Sequence, residues 1–177
     1  MFLLQSCIVA DPPEYRDPVQ TRPLLDAYKA VPITQQVLLA YTADTVGIPI
    51  SVPVRSEDAG EDLLAHFYLD YGTLPQPGIS LGEQPLRVQR IPASTYIDSS
   101  RSASYQGGWK VKATTGCHLL TLIVAHASSF QRLDQDHLDP IRASSDAAII
   151  NWWVNVNPTL DTIHTLTNCP VSGPQPQ

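Results

Sequence analysis

Two stretches decide the fold: "GCHLLTLIVAHA" (Gly116–Ala127) and "DAAIINWWVNVN" (Asp146–Asn157). Successive side chains of a β-strand point to opposite faces, so a strand with one face buried alternates apolar and polar residues. The second stretch does so. Ala148, Ile150, Trp152, Val154 and Val156 fall on one side, with Asn151, Trp153, Asn155 and Asn157 on the other. The first stretch is apolar on both sides, with Leu120, Leu122 and Val124 set against Leu119, Thr121, Ile123 and Ala125. A strand that is apolar on both faces belongs at the centre of a sheet and is covered on both sides.

The same period extends outward along the chain. "QQVLLAY" (35–41), "DLLAHFYLDY" (62–71), "PLRVQR" (85–90) and "GWKVKA" (108–113) all alternate. In the second of these, Leu63, Ala65, Phe67, Leu69 and Tyr71 share a face. "GIPISVPV" (47–54) is a seventh candidate, and its two prolines, which lack a donor for the ladder, assign it to a sheet edge. Gly, Pro, Asp and Ser clusters separate these segments. Seven short alternating strands predict an all-β, two-sheet antiparallel sandwich of immunoglobulin-like type. Helix is scarce: "PLLDAYKA" (23–30) has room for about two turns before Pro32 stops it. The expected organisation is a Pro-rich arm over 1–32 with that short helix, a sandwich over 33–170 and a tail over 171–177.

Composition narrows the function classes. The chain has 177 residues, enough for one domain with a core. It carries 11 Lys+Arg against 17 Asp+Glu, a net charge of −6, and no basic run. Nucleic acid and anionic membrane surfaces both need a positive footprint, so neither is expected as a partner. No apolar stretch approaches the about 18 residues a membrane-spanning helix needs.

The chain begins "MFLLQSC", and Leu4, Ser6 and Cys7 resemble the end of a bacterial lipoprotein signal, where the cysteine receives a diacylglyceryl group. Gln5 departs from the small or β-branched residue usual there. The basic and apolar regions of a full signal do not precede Cys7, so the natural start is expected upstream of Met1. An alternative reading makes Phe2–Val9 a terminal strand. "IVADPPEYRDPVQTRP" (8–23) then reads as an extended tether. The resemblance implies a lipid-anchored protein at the bacterial outer membrane, periplasm or cell surface. With Cys7 lipidated, Cys117 and Cys169 remain. An oxidising compartment would let them pair, contributing about 4 kcal/mol by loop closure; otherwise they are two independent thiols.

Catalytic and metal motifs are sparse. "GISLG" (Gly78–Gly82) matches G-x-S-x-G, but the motif exposes a nucleophile only at a strand-to-helix turn, and Pro77 and Pro85 bracket Ser80 here. A serine hydrolase would use Ser80 with His118, His126 or His137. His118 and His126 lie eight apart on one strand, roughly 27 Å at strand rise, and cannot share a metal. Asp134, Asp136 and Asp139 in "RLDQDHLDP" could hold calcium in a carbohydrate- or protein-binding module, although Leu138 sits where an oxygen ligand belongs. No cofactor and no small-molecule substrate is expected. The doubly apolar strand has two readings. Either the N-terminal arm or short helix covers its outer face, or a partner protein docks on Leu119, Ile123, Ile149 and Trp153. The resulting expectation is a non-catalytic, membrane-tethered accessory or adhesion lipoprotein that contacts a protein partner.

Overall fold

The computed structural model describes residues 21–41, 48–58, 60–71, 87–93, 101–105, 113–132, 138–139, 146–166 and 169, and they form an all-β fold. Ten strands occur among them: β1 (Leu24–Leu25), β2 (Leu38–Ala40), β3 (Ile50–Arg55), β4 (Leu63–Leu69), β5 (Arg87–Ile91), β6 (Arg101–Tyr105), β7 (Gly116–His126), β8 (Gln131–Arg132), β9 (Leu138–Asp139) and β10 (Ala148–Val156). Five make a sheet in the order β2-β10-β7-β4-β5, which curls into a half-barrel. Three make a second sheet, β1-β3-β6, and β8 pairs with β9.

The strand that is apolar on both faces lies at the middle of the larger sheet. β7 runs antiparallel to β10, with Leu122 opposite Ile150 and Leu120 opposite Trp152. On its other side β4 places Phe67 opposite Leu122 and Ala65 opposite Val124. β2 is the exception to the antiparallel pattern: it runs parallel to the end of β10, with Leu38 beside Val154.

Alternation selects the core. Leu63, Ala65 and Phe67 of β4, Leu120, Leu122 and Val124 of β7, and Ile150, Trp152 and Val154 of β10 form one buried cluster with Ile50, Val52 and Val54 of β3. Each such side chain, fully buried, contributes about 1.5–3 kcal/mol. Trp152 is the largest. Its indole N–H, the one polar group it brings inside, donates to the Pro32 carbonyl at 3.0 Å.

Four features differ from the sequence expectation, each for a physical reason. β3 lies between β1 and β6 rather than at an edge. Ser51 exchanges backbone hydrogen bonds with Val31, and the Pro53 carbonyl accepts from the Asp26 N–H at 3.0 Å. Residues 51 and 53 therefore aim their backbone polar groups toward the two-residue strand β1, and the donor that Pro53 lacks is missing on that sparse side, not from the β6 ladder. The segment "PLLDAYKA" forms β1 and a single 3-10 turn (Ala27–Lys29) instead of two helical turns; the Asp26 carboxylate accepts from the Lys29 N–H. Ala30, expected in the arm, is buried in the core. β6 falls on "RSASY", which offers no strong apolar face, whereas residues 108–112 of "GWKVKA" lie outside the described residues.

The fourth difference is the cover over β7. Tyr68, Ile123, Ala125, Phe130 and Ala147 form a second buried cluster on the outer face. Phe130 and Ala147 belong to the connection between β7 and β10, so a local excursion of the chain supplies at least part of the cover assigned above to the arm or short helix. Residues 1–20 of the arm lie outside the described residues.

Candidate functional site

Two buried histidines paired with carboxylates sit at the two ends of β7. His118 and His126 are in phase with Leu120, Leu122 and Val124, so both rings turn toward the core side, one at each end of it. At one end His118 Nδ1 lies 2.6 Å from Asp70 Oδ2, and Nε2 donates to the Thr114 carbonyl at 2.8 Å. The Thr114 carbonyl can only accept, so Nε2 carries a proton; with Nδ1 against the Asp70 carboxyl group the site favours the doubly protonated ring. Burial acts to lower the His118 pKa, but the hydrogen bond and charge of Asp70, with the Thr114 carbonyl, outweigh it and hold the pKa above the ordinary imidazole value. Asp70 is held in turn. It has a left-handed backbone (φ 57°), its N–H donates to the Leu119 carbonyl, and its Oδ1 accepts the Leu119 N–H at 2.9 Å.

At the other end His126 lies between two carboxylates. Its Nδ1 is 2.7 Å from Asp146 Oδ1, and its Nε2 is 3.2 Å from Asp58 Oδ2, close enough to pair but off-line for a hydrogen bond. Asp146 also accepts the His126 N–H and the Ser129 hydroxyl. Asp58 accepts both the N–H and the hydroxyl of Thr21, at 2.8 and 3.0 Å. These groups tie the segment before β1, the β3–β4 connection and the start of β10 to the central strand. The Ser129 hydroxyl donates to Asp146, and the His126 ring is fully buried.

His66 is the third buried histidine. Its Nδ1 is hydrogen-bonded to the Tyr68 hydroxyl at 2.9 Å and its ring stacks on Phe130, 4.1 Å between centroids. Burial pushes its pKa down to about 4. Its Nε2 and the Thr121 hydroxyl, both on the covered outer face, have no hydrogen-bond partner among the described residues.

On the outer face of the five-stranded sheet, exposed apolar residues lie on β10 and, at the other edge, at Val88 of β5. Ile149 and Trp153, both on the outer face of β10, are 43% and 37% exposed. Leu119, opposite Trp153, is half-buried. Ile123, grouped with them in the sequence reading, is fully buried in the outer cluster and cannot meet a partner. Two residues beyond Trp153, the buried Asn155 donates from Nδ2 to the carbonyls of Thr162 and Thr165 at 2.9 and 3.3 Å. That grip folds the turn after β10 back over the sheet. Cys117, opposite Asn155, is disulfide-bonded to Cys169, with Cα atoms 4.5 Å apart, and fastens the same segment again. Between the turn and β2 lies a cleft of about 300 Å³ lined by Val37, Leu39, Asn155, Ile163, His164 and Leu166. Sequence reading missed this cleft. The signal it left is weak: Asn155 breaks an apolar run just before "NPT", and the alternation of 35–41 groups Val37, Leu39 and Tyr41 on one face, whereas the core takes Leu38 and Ala40 and leaves Val37 and Leu39 to the cleft.

The other sequence candidates, Cys7, Ser80, His137, Asp134 and Asp136, lie outside the described residues, as does the side chain of Asp139. Among the described residues no group of three or more His, Cys, Asp or Glu side chains is placed to hold a metal, and no helix is long and apolar enough to cross a membrane. No protein-family model matches the chain, and no curated protein matches it in sequence.

Proposed function

We propose that the protein is a non-catalytic accessory or adhesion lipoprotein of the bacterial envelope, anchored by lipid on Cys7, that contacts a protein partner through the outer face of β10. The observation that carries this reading is the pair Ile149 and Trp153, exposed together on the outer face of β10 beside a partly apolar cleft, whereas Tyr68, Ile123 and Ala125 on the same face are covered. Aromatic anchors next to a pocket are the usual core of a protein interface. The three buried histidines support a scaffold role, since their partners are groups that tie strands and connections together. We further read the two sheets as an immunoglobulin-like sandwich. The order β1-β3-β6 against β10-β7-β4-β5 parallels the two sheets of that fold, including the added edge strand of its variable type. Folds of this kind serve mostly as binding modules, which is fold-level analogy.

Two measurements on protein from its native membrane fraction test the proposal. Intact mass should show cleavage before Cys7 and a lipid adduct on it. On native gels the solubilised protein should migrate within a larger assembly that Trp153→Glu abolishes without lowering the unfolding temperature. A wild-type chain that carries no lipid and migrates alone would overturn the reading.

A further inference from the structure

Leu24, Tyr28, Val31 and Ile33 stand exposed within one short stretch of chain, Tyr28 by 92%. Parity in the three-stranded sheet puts two of them on one face. Ile50, Val52 and Val54 of β3 turn into the core, so Ser51, Pro53 and Arg55 turn outward. Residues opposite each other in an antiparallel pair share a face. Leu24 lies opposite Arg55 and Val31 opposite Ser51, so both stand on the outer face of this sheet. Tyr28 belongs to the 3-10 turn between them. Exposed apolar residues scattered singly are ordinary, whereas a group of this kind marks a contact surface.

The preceding chain leaves the described fold beside this group, at a pinned point. The Thr21 N–H and hydroxyl both donate to Asp58, which in turn pairs with the buried His126. Leu24 follows three residues later, and Cys7 lies 14 residues before Thr21. Fourteen residues span about 20 Å as a flexible chain and no more than about 50 Å drawn straight. A lipid on Cys7 would therefore hold the bilayer nearest the side of the domain that carries Leu24 to Ile33. Tethering also raises the local lipid concentration, so a contact that is weak on its own suffices.

The side chains suit a phospholipid surface. A tyrosine, with an apolar ring and a polar tip, sits well at headgroup level, and leucine, valine and isoleucine reach the acyl boundary. Arg55 on the same face, with Arg22 and Lys29 close by in sequence, is exposed and can lay its stem along the apolar group with its charge among phosphates. Three cations make no basic footprint, so the attraction is apolar.

We propose that the outer side of the three-stranded sheet, with Leu24, Tyr28, Val31 and Ile33, rests in the headgroup layer of the phospholipid bilayer to which Cys7 anchors the chain. This rests on the reading of Cys7 as the lipid-bearing residue, and it orients the molecule. The inner faces of the two sheets share one core, so their outer faces point apart. Ile149 and Trp153 are then turned away from the bilayer, toward a partner.

Nanodiscs of phosphatidylethanolamine and phosphatidylglycerol, carrying a doxyl-labelled lipid, test the contact on the full chain. Methyl NMR should show Leu24, Val31 and Ile33 broadened by the nitroxide and Ile149 unaffected. Raising the salt to about 0.5 M should not reverse this, because screening acts on charges and not on apolar contacts. Tyr28→Asp should weaken binding of the lipid-free chain to vesicles of the same composition by about tenfold and leave the unfolding temperature unaltered. Trp153→Glu should change neither. A lipid-bearing chain whose Leu24, Val31 and Ile33 methyls stay sharp, or whose Ile149 broadens equally, would overturn the contact and leave the anchor standing. Sharp methyls together with loss of the native assembly in Tyr28→Asp would make the group a protein contact instead. If intact mass shows no lipid on Cys7, the anchor falls, and the contact stands only if the lipid-free chain still broadens those three residues at millimolar lipid.

Discussion

Asp70→Asn tests the buried clamp at the first end of β7. Asp70 and His118 are 8% and 4% exposed, and the carboxylate serves two donors at once, the His118 ring and the Leu119 N–H. An amide has one acceptor where the carboxylate has two. Turned so that Oδ1 meets His118, its NH₂ confronts the Leu119 N–H; turned the other way, it confronts the imidazolium. One buried unsatisfied donor costs about 1–3 kcal/mol, and breaking a buried charge pair costs about 3–5 kcal/mol. The ring can escape part of this by losing its proton, so the expected loss near neutral pH is about 3 kcal/mol. The pH dependence follows from the raised pKa of His118. The clamp contributes fully below the ordinary imidazole pKa of about 6.5 and its contribution fades as pH rises through the higher folded value. The deficit of Asp70→Asn should therefore be largest in mild acid and narrow as the solution becomes alkaline. Urea unfolding followed by tryptophan fluorescence across that range measures it; with a slope of about 2 kcal/mol/M the midpoint should fall by about 1.5 M. In a cycle with His118→Gln the two losses should fail to add by more than about 0.5 kcal/mol. A deficit that is flat with pH, together with simple additivity, would refute the argument.

Other expectations concern packing, the disulfide and the third histidine. Trp152→Ala should cost about 3–5 kcal/mol and Trp152→Phe about 1–3 kcal/mol, the latter by stranding the Pro32 carbonyl, both read from urea midpoints. Replacing Cys117 and Cys169 together by serine should cost about 4 kcal/mol by the loop-closure model. It should also speed amide exchange at Thr162 and Thr165, whose donors bond within the turn that the disulfide helps fasten. Burial depresses the His66 pKa to about 4, so the unfolded chain takes up the proton first. His66 therefore withdraws stability as pH falls from about 6.5 to about 4, by about 3 kcal/mol in all. His66→Gln should flatten that acid slope, and carbon-13 NMR should find the His66 ring neutral down to about pH 5.

Period two made the centre of the fold legible. The core-facing sets of β4, β7 and β10 are the residues that alternation selects, and the place of β7 between two strands follows from its second apolar face. What escaped did so because its cause lies elsewhere in the chain. β6 is a strand through its pairing with β3, since Arg-Ser-Ala-Ser-Tyr has no face that would announce it. The orientation that makes Pro53 harmless depends on Asp26. His118 and His126 share the phase of the leucines around them, which placed them toward the core. Their carboxylate partners, 48 and 20 residues away for Asp70 and Asp146, leave no spacing a linear reading could find. Ile149 and Trp153 turn outward and are exposed, as their phase on β10 implies, whereas Ile123 is buried, which only the folded path of Phe130 and Ala147 shows.

The parallel pairing of β2 with the end of β10 brings together segments from near the beginning and near the end of the fold. Leu38 cannot meet Val154 until synthesis has passed β10. Until then β4 and β7 carry bare aliphatic faces, and the nascent protein has to be shielded or kept unfolded during synthesis. Truncation after β7 should therefore yield aggregate rather than a smaller domain, because β10 pairs with one side of β7 and carries Trp152 into the core.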